Sequence, residues 1–405
     1  MSPLSRFAVA PSGLKESLTA PQAAQAIAAG LHRVAPRAEI DLIPLVDGGE
    51  GTAAALAAAS GGRLIAHTAT GPLGEAVPGH YALLGDGTAV VEMAAVAGLS
   101  LIPPRLRDPG RTTTFGVGEL IRAALDAGAR RVLVGCGDSG TSDGGAGALQ
   151  ALGARLLDAS GRELPRGGGA LVHLFRIDPT GLDPRLRATE LLVACNPHNV
   201  LCGPMGVARV FGPQKGAGPA QVEHLSAALE RWAAILHRDL RPAAPNLRTA
   251  PGTGASGGLG AGLAALGARL LPRFDVLLGH LDLDARLARA DLVITAEGAL
   301  DHQSPRGKIP GEIARRARAL GVPALVLAGI LGEGADDIRS AGAAAYCSIL
   351  PAPLPLPEAL ARAAEFLTAA TERALRLVAL GHDLALTGPR PPWPHLAHSA
   401  SDSGA

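Results

Sequence analysis

Short apolar runs alternate along the chain with turns rich in glycine, proline, serine and aspartate. Near the N-terminus this pattern predicts a strand over residues 6–10, a helix from about Thr19 to Val34, and a strand over residues 40–44. An alanine-rich helix follows the glycine turn of residues 46–52. Strands that alternate with helices in this way favour a parallel sheet covered by helices.

The same reading of the pattern continues to residue 380. It predicts strands over 63–70, 80–84, 88–93, 132–135, 189–194, 291–295, 323–328 and 344–349, and helices over 115–127, 219–238, 308–320 and 356–380. The two chain ends share one style of strand, so we expect an α/β fold. Residues 1–61 and 288–382 would form a discontinuous, Rossmann- or flavodoxin-like parallel-sheet domain. Residues 62–287 would form an inserted second α/β domain, and residues 383–405 a disordered tail.

Composition narrows the class of protein. Hydrophobic residues make up 47% of the 405 residues and aromatic residues 2%, so alanine, leucine and valine must form the core. The net charge is +1 and no basic run is interleaved with aromatic residues, which argues against nucleic acid as a partner. Four scattered cysteines without a CxxC pair predict reduced thiols and no zinc site. The chain shows no signal peptide and no apolar run long enough to span a membrane, so we expect a cytoplasmic protein.

One glycine turn, between the strand over 132–135 and a helix from about Gly145, can bind an anion. Free backbone N–H groups and the helix dipole favour negative charge at such a junction. Asp138 and Asp143 in the same turn oppose an anion unless a divalent cation lies between them. Two other interpretations stay open: a structural turn with capping side chains, and a dinucleotide fingerprint, since the turn contains Gly-x-Gly-x-x-Gly from Gly135.

Charged or polar side chains also follow several predicted strands, where parallel sheets bind ligands. They are Lys15, Asp47, Glu50, Glu297, Asp301, Gln303 and Lys308. Lysine is rare here, with only Lys15, Lys215 and Lys308, so two of the three lysines lie at predicted strand ends. Acidic residues together with lysines indicate a phosphate and Mg²⁺, although helix capping and surface exposure are the simpler explanations. The histidines show no metal-ligand spacing.

Several phosphate and hydrolase motifs are missing. The sequence has no GxxxxGK[ST] loop, no GxSxG elbow and no protein-kinase motif set. Chemistry on phosphate must therefore use a different loop.

Seven motifs follow one another along the chain: PSGLKESLTA (11–20), VDGGEGT (46–52), GCGDSGTSDGGAGALQALG (135–153), NVLCGPMGVARVFGPQKGA (199–217), GASGGLGAGL (254–263), TAEGALDHQSPRGK (295–308) and SILPAPLPL (348–356). In this order they resemble one family, the type I glycerate kinases. Together they span nearly the whole chain apart from the tail.

The resemblance implies a two-domain enzyme with its active site in the cleft between the domains. It implies that ATP and Mg²⁺ serve to phosphorylate the 2-hydroxyl of D-glycerate, giving 2-phosphoglycerate and ADP, in a monomer or homodimer. The residues expected to act in catalysis are Lys15, Asp47, Asp143, Asp301 and Lys308, with Asp47, Asp143 and Asp301 as metal ligands. The residues expected to bind the nucleotide are Gly137, Ser139, Gly140, Thr141, Gly144, Gly257, Gly258, Glu297 and Gln303.

Three positions depart from the usual family pattern. Ser12-Gly13-Leu14 replaces Asp-Ser-Phe, Asn196 follows Cys195 in place of Asp, and Ala299 replaces an arginine. These departures leave open a related small hydroxy acid as the acceptor. A nucleotide-dependent oxidoreductase and a regulator that binds a sugar acid without catalysis are the alternatives from other classes.

Overall fold

A computed structural model of the chain describes residues 5–14, 17–240, 246–278, 281–305 and 307–386. The strands in these residues are β1 Arg6–Val9, β2 Glu39–Leu42, β3 Arg63–Thr70, β4 Ala76–Leu83, β5 Ala89–Glu92, β6 Arg131–Gly135, β7 Arg155–Leu157, β8 Arg176–Asp178, β9 Glu190–Cys195, β10 Arg269–Pro272, β11 Leu292–Leu300, β12 Ala324–Leu331 and β13 Ala345–Ser348. The α-helices are α1 Ala20–Val34, α2 Thr52–Ser60, α3 Ala94–Ala97, α4 Phe115–Asp126, α5 Ala146–Ala151, α6 Val207–Phe211, α7 Pro219–Leu240, α8 Ala255–Ala265, α9 Arg273–Leu277, α10 Leu283–Leu287, α11 Ile309–Ala319, α12 Ile338–Ala341, α13 Leu356–Ala361 and α14 Ala363–Leu386.

The first sheet is built from both ends of the chain. Its strand order is β13-β12-β11-β1-β2, and every neighbouring pair is parallel. Phe7 in the central strand β1 pairs with Leu292 on one side and Ile40 on the other. Because parallel strands end at the same edge of a sheet, the loops that follow β2 and β11 leave at one edge.

The second sheet is mixed and comes from the middle of the chain. Its strand order is β10-β9-β6-β5-β4-β3; β10, β9, β6 and β5 are parallel, while β4 runs antiparallel to both of its neighbours. The predicted α/β class, with parallel strands and covering helices, is confirmed.

Helix α1 shows how local sequence and packing agree. Thr19 caps its N-terminus, and Gln22 returns the bond in a capping box. Ile27 and Leu31 are fully buried on its apolar face, in a cluster that includes residues of α14. Gly30 lets the two helices approach closely, because a Cβ there would lie 2.4 Å from the carbonyl oxygen of Thr368.

Packing crosses the predicted domain boundaries in two places. Phe274 of α9 and Leu283 of α10 share a core cluster with Ile43, beside the first sheet. Leu56 of α2 packs with Leu133 of the second sheet. The division into two domains stays a prediction, and these contacts indicate that α2 and α9–α10 fasten the two sheets together.

Most predicted elements are confirmed to within a few residues. Eight short elements of three to five residues each were not predicted: strands β7, β8 and β10 and helices α3, α6, α9, α10 and α12. The single helix predicted over 356–380 is two helices, interrupted at Arg362. Helix α14 continues to Leu386, so the predicted tail from residue 383 is wrong for its first four residues. The rest of that tail lies outside the described residues. Among the described helices, none is long and apolar enough to cross a membrane.

Candidate active site

Loops from both sheets line one cavity of about 1300 Å³. Asp47 and Glu50 reach it from the loop after β2, and Glu297 and Lys308 from β11 and the turn that follows. Asp138 reaches it from the glycine turn after β6 in the second sheet. The cavity therefore collects charged side chains from the carboxyl ends of strands in both sheets, where α/β proteins bind ligands.

The carboxylate of Asp47 is held at both oxygens. Its Oδ1 accepts a hydrogen bond from the backbone N–H of Gly49 at 3.2 Å. Its Oδ2 accepts one from the guanidinium of Arg273 at 3.1 Å, and the Asp47 carbonyl oxygen accepts a second from the same group at 3.0 Å. With its orientation fixed, Asp47 can present a carboxylate to a ligand without first losing side-chain freedom.

Glu92 supports the loop after β2, which carries Asp47. It is 2% exposed and accepts hydrogen bonds from the backbone N–H groups of Gly51 and Ala53, both at 2.9 Å. These bonds satisfy free donors at the start of α2. Burial raises the pKa of Glu92 to about 7, although the two backbone bonds act in the opposite direction. The neighbouring acids Glu50 and Asp138 raise it further.

Asp138 and Asp47 both lie close to Gly49. A Cβ on Gly49 would lie 2.1 Å from Asp138 Oδ2 and 3.2 Å from Asp47 Oδ1, so both carboxylates lie beside this residue. Asp138 has a positive φ of 49° and also accepts a hydrogen bond from the N–H of Glu50 at 3.2 Å. Any side chain at position 49 would require the Asp138 carboxylate to move.

Lys308 contacts the acids that follow β11. Its ammonium nitrogen lies 3.3 and 3.2 Å from the two carboxylate oxygens of Asp301 and 4.0 Å from Glu297 Oε1. Partial burial would raise the pKa of Asp301, but the N–H of Gln303 and the ammonium of Lys308 lower it below its usual value. Gln303 therefore acts through its backbone here, and it does not line the cavity.

Asp143 does not join this group. It is fully buried, and its oxygens accept hydrogen bonds from the N–H and hydroxyl of Thr114 and from the N–H groups of Gly145 and Gly147. Burial raises its pKa, against the effect of these bonds. With its oxygens already engaged and no exposed surface, Asp143 organises the start of α5. We therefore do not assign Asp143 as a metal ligand.

The glycines predicted to hold phosphate are closely packed against other parts of the chain. A Cβ on Gly257 would lie 2.0 Å from the carbonyl oxygen of Thr141, and one on Gly144 would meet Trp232 at 2.5 Å. Gly258 packs in the same way on Gly144. This packing of the glycine turn against α8 explains why these positions are glycine, with no ligand required. We therefore do not include these phosphate contacts in the proposed site.

The other glycines of the turn join the two loops. A Cβ on Gly137 would lie 2.5 Å from the backbone nitrogen of Gly49, and one on Gly140 would lie 2.9 Å from the carbonyl oxygen of Gly98. Gly135, the first glycine of the apparent dinucleotide fingerprint, packs on Gly48. The fingerprint spacing thus coincides with loop-to-loop packing and does not favour a nicotinamide cofactor.

Ser139 and Thr141 have an unpredicted partner in Lys215. The Lys215 ammonium is within hydrogen-bond distance of the Ser139 hydroxyl and the Thr141 carbonyl oxygen, at 2.9 and 2.5 Å. The side chain is 2% exposed, and burial lowers its pKa to about 7. The scarcity of lysine was a usable signal, since Lys215 is one of three in the chain.

One residue at the site was not predicted, and one predicted residue cannot be placed. The sequence singled out Asp138 as a carboxylate that would need a divalent cation, although it was not among the expected site residues, whereas Arg273 is one of many arginines and gives no signal. Lys15 lies outside the described residues. The structure brings together Asp47, Glu297 and Lys308 around the cavity, and Asp301 joins them through its contact with Lys308, although it does not itself line the cavity.

The donor set suits a magnesium ion that is held partly by its substrate. Within the described ranges, no group of three or more His, Cys, Asp or Glu side chains could hold a metal ion alone. Mg²⁺ in nucleotide sites is usually bound through one or two carboxylates, with phosphate oxygens and water as the other ligands. Asp47 and Asp138, whose carboxylates both lie beside Gly49, fit that pattern.

Comparisons with known proteins agree on a family. A family model described as "Glycerate kinase family" matches residues 7–379. The chain is 45% identical to a glycerate kinase of Bacillus subtilis, over 94% of this chain and 99% of that protein. It is 41% identical to the glycerate 2-kinase of Escherichia coli K12, over 93% and 98% of the two chains. A crystal structure from Salmonella typhimurium LT2, titled as a glycerate kinase 2, superposes with a TM-score of 0.76 at 42% identity, over 94% of this chain and all of that one.

Proposed function

The chain belongs to the glycerate kinase family, and we propose that it transfers a phosphoryl group from ATP to the 2-hydroxyl of D-glycerate. The products are 2-phosphoglycerate and ADP. The observation that carries the proposal is the shared cavity, in which Asp47, Asp138, Glu297 and Lys308 meet at the strand ends of both sheets. The 2-position follows the name of the Escherichia coli relative.

The charges of the cavity favour a divalent cation. Among its described lining residues, four carboxylates (Asp47, Glu50, Asp138 and Glu297) face the cavity together with two cations, Lys308 and Arg286. Arg286 is already paired with Asp41. A triphosphate would be repelled by this acidic wall unless a metal ion offset the charge, and Mg²⁺ supplies that offset by bridging phosphate oxygens.

Asp47 and Asp138 are the residues we assign to hold the metal. Asp47 Oδ1 and Asp138 Oδ2 both lie beside Gly49, and both residues line the cavity. Glu50 lies next to them, and its carboxylate accepts a hydrogen bond from the Ser100 hydroxyl. Glu50 is therefore directed toward the second sheet and is the weaker candidate.

Lys308 is the residue we assign to the transferred phosphoryl group. Its contacts with Asp301, Glu297 and the Ala299 carbonyl oxygen are between 3.2 and 4.0 Å, longer than strong charged hydrogen bonds. The ammonium can therefore exchange these partners for phosphate oxygens at little cost. Asp301 orients Lys308, and Asp47 or Asp301 accepts the proton of the glycerate hydroxyl.

The apolar part of the cavity lining suits a purine. It consists of side chains from the loops after β1, β2 and β13 and from α13, including Leu14, Leu18, Leu45, Ile349, Leu350 and Leu360. Ligand sites commonly combine such a lining with a few polar groups at one end. We therefore expect adenine at the apolar end and the phosphates beside Asp47 and Lys308.

A coupled assay of ADP release tests the function directly. Purified protein is mixed with ATP, Mg²⁺ and either D-glycerate, L-glycerate or a panel of small hydroxy acids, and the product is identified by ³¹P NMR. We expect turnover with D-glycerate and a 2-phosphate product. Turnover only with another hydroxy acid would reject D-glycerate as the acceptor, and reduction of a nicotinamide cofactor would favour the oxidoreductase.

The remaining parts of the proposal concern the cell and the assembly. A net charge of +1 gives no basic surface for nucleic acid, so we propose small molecules as the partners of this chain. We further propose a cytoplasmic enzyme that acts as a monomer or homodimer.

A further inference from the structure

Arg273 connects three parts of the molecule that meet at the cavity. It is the first residue of α9, directly after the edge strand β10 of the second sheet. Its side chain is 12% exposed and reaches into the first-sheet loops. One terminal nitrogen donates hydrogen bonds to Asp47, and the other donates one to the carbonyl oxygen of Gly307.

These bonds act on the two residues that matter most for phosphoryl transfer. Asp47 receives Arg273 on Oδ2 and the Gly49 N–H on Oδ1, which fixes the rotation of its carboxylate. Gly307 immediately precedes Lys308, which is the N-cap of α11. Arg273 thereby ties the Asp47 carboxylate and the base of the Lys308 side chain to one planar group.

Only an arginine can make this connection. The two terminal nitrogens of a guanidinium point in different directions in one rigid plane, so each can hold a different loop. A lysine offers a single nitrogen on a flexible stem and cannot span both acceptors with fixed geometry. The guanidinium also lies against the ring of Phe274, 4.9 Å from its centroid, which restricts its plane.

We propose that Arg273 is a positioning residue for phosphoryl transfer, which sets the separation between the Asp47 carboxylate and the Lys308 ammonium across the cavity. The inference rests on the proposed function, because it assumes that Asp47 and Lys308 act on one phosphoryl group. Arg273 itself makes its contacts with protein groups and is not assigned a contact with substrate. We expect loss of Arg273 to lower kcat more than it raises KM, because a misplaced reacting group slows transfer more than it weakens binding.

The first experiment compares R273M and R273K with the control R269M. Arg269 is the first residue of β10, four residues before Arg273, but it is mainly exposed and pairs with Glu190, and it does not line the cavity. We expect R273M to lower kcat by about 10²-fold with less than a threefold change in KM for ATP. R273K should recover little of this loss, and R269M should behave like wild type. A kcat for R273M within threefold of wild type would overturn the proposal.

A double-mutant cycle tests whether Arg273 works through Asp47. If it does, adding R273M to a D47N background costs much less than the same change in wild type, because the carboxylate it positions has already been altered. Full additivity of the two losses would overturn this route. Thermal unfolding of each variant keeps a loss of folded protein separate from a loss of kcat, and R273K serves if R273M does not fold.

Amide hydrogen exchange supplies a readout that needs no turnover. Peptides that contain Asp47 and Gly307 should exchange at least tenfold faster in R273M than in wild type or R269M, while peptides from α1 stay unchanged. Unchanged exchange in both loops would overturn the positioning role of Arg273, whatever the kinetics show. If exchange is faster in R273M but the wild-type protein does not phosphorylate D-glycerate, the proposed function is rejected, while the connection that Arg273 makes between the two loops stands.

Discussion

The ammonium of Lys215 lies 2.9 Å from the hydroxyl of Ser139, inside the glycine turn that leads to α5, and the side chain is 2% exposed. A buried lysine that bonds a hydroxyl and a carbonyl oxygen can hold this turn in its neutral or its charged form. Its two acceptors lie on either side of Gly140, so the lysine braces the same turn that carries Asp138 into the cavity.

Lys215 should give the protein a measurable pH dependence of stability. Burial lowers its pKa to about 7, from 10.5 in the unfolded chain. Between these values the unfolded state binds more protons than the folded state, so the free energy of unfolding rises with pH. We expect urea titrations between pH 7 and 9 to show wild type gaining up to about 1.4 kcal/mol per pH unit relative to K215M. If the free energies of unfolding of the two proteins change with pH in parallel, the lysine stays protonated in the folded protein.

Asp47 and Asp143 should respond in opposite ways to loss of their charge. D47N removes a carboxylate from the cavity, so we expect kcat to fall by about 10²-fold or more with little change in the unfolding temperature. The coupled ADP assay and thermal unfolding measure the two effects. The matched control is D158N, an aspartate in a surface turn that bonds only Ser160 and Arg162. Near-normal turnover of D47N would remove Asp47 from the mechanism.

D143N should act on stability. The amide of asparagine cannot accept all the hydrogen bonds that Thr114, Gly145 and Gly147 donate to the carboxylate. Leaving buried donors without acceptors costs about 1–3 kcal/mol, which urea unfolding can resolve. We expect the folded fraction to keep a kcat close to that of wild type. A stable D143N protein with a large loss of kcat would return Asp143 to the catalytic group.

The sequence was a good guide to elements and a partial guide to the site. Strand β3 was predicted over its observed range because its bounding turns contain glycine, whereas the edge strand β10 has only four residues and no alternation. Asp47 and Lys308 could be found because parallel strands end at one edge. Arg273 could not, since its partners Asp47 and Gly307 are 226 and 34 residues away. Burial decides the role of Asp143, and a turn sequence does not reveal burial.

Gly49 should be required for the geometry of the metal site. A Cβ in G49A would lie 2.1 Å from Asp138 Oδ2, so the Asp138 carboxylate must move. We expect kcat to fall by about 10²-fold and the Mg²⁺ concentration for half-maximal rate to rise, because the spacing of the two carboxylates changes. G218A is the control, since a Cβ on Gly218 meets nothing within 4 Å. Equal Mg²⁺ dependence in G49A and wild type would argue against Asp138 as a ligand.

Glu92 should lower the stability of the protein as its proton is lost. Burial raises its folded-state pKa to about 7, above the 4.5 of the unfolded chain. Between these values the folded state keeps a proton that the unfolded state releases, so the free energy of unfolding falls as pH rises from 4.5 to 7. Relative to E92Q, which cannot ionise and still offers an acceptor to Gly51 or Ala53, wild type should lose up to about 1.4 kcal/mol per pH unit.

The comparison with E92Q also separates Glu92 from its neighbour. His80 Nε2 lies 4.0 Å from Glu92 Oε2, and burial lowers the pKa of His80, so its titration raises the free energy of unfolding over part of the same pH range. A comparison of H80N with the double variant H80N/E92Q removes that opposing contribution. The difference in their free energies of unfolding should show the full pH dependence that Glu92 causes. If the difference between the two proteins stays constant from pH 4.5 to 7, then Glu92 ionises as readily in the folded protein as in the unfolded chain, and the support it gives to the Asp47 loop comes from a charged carboxylate.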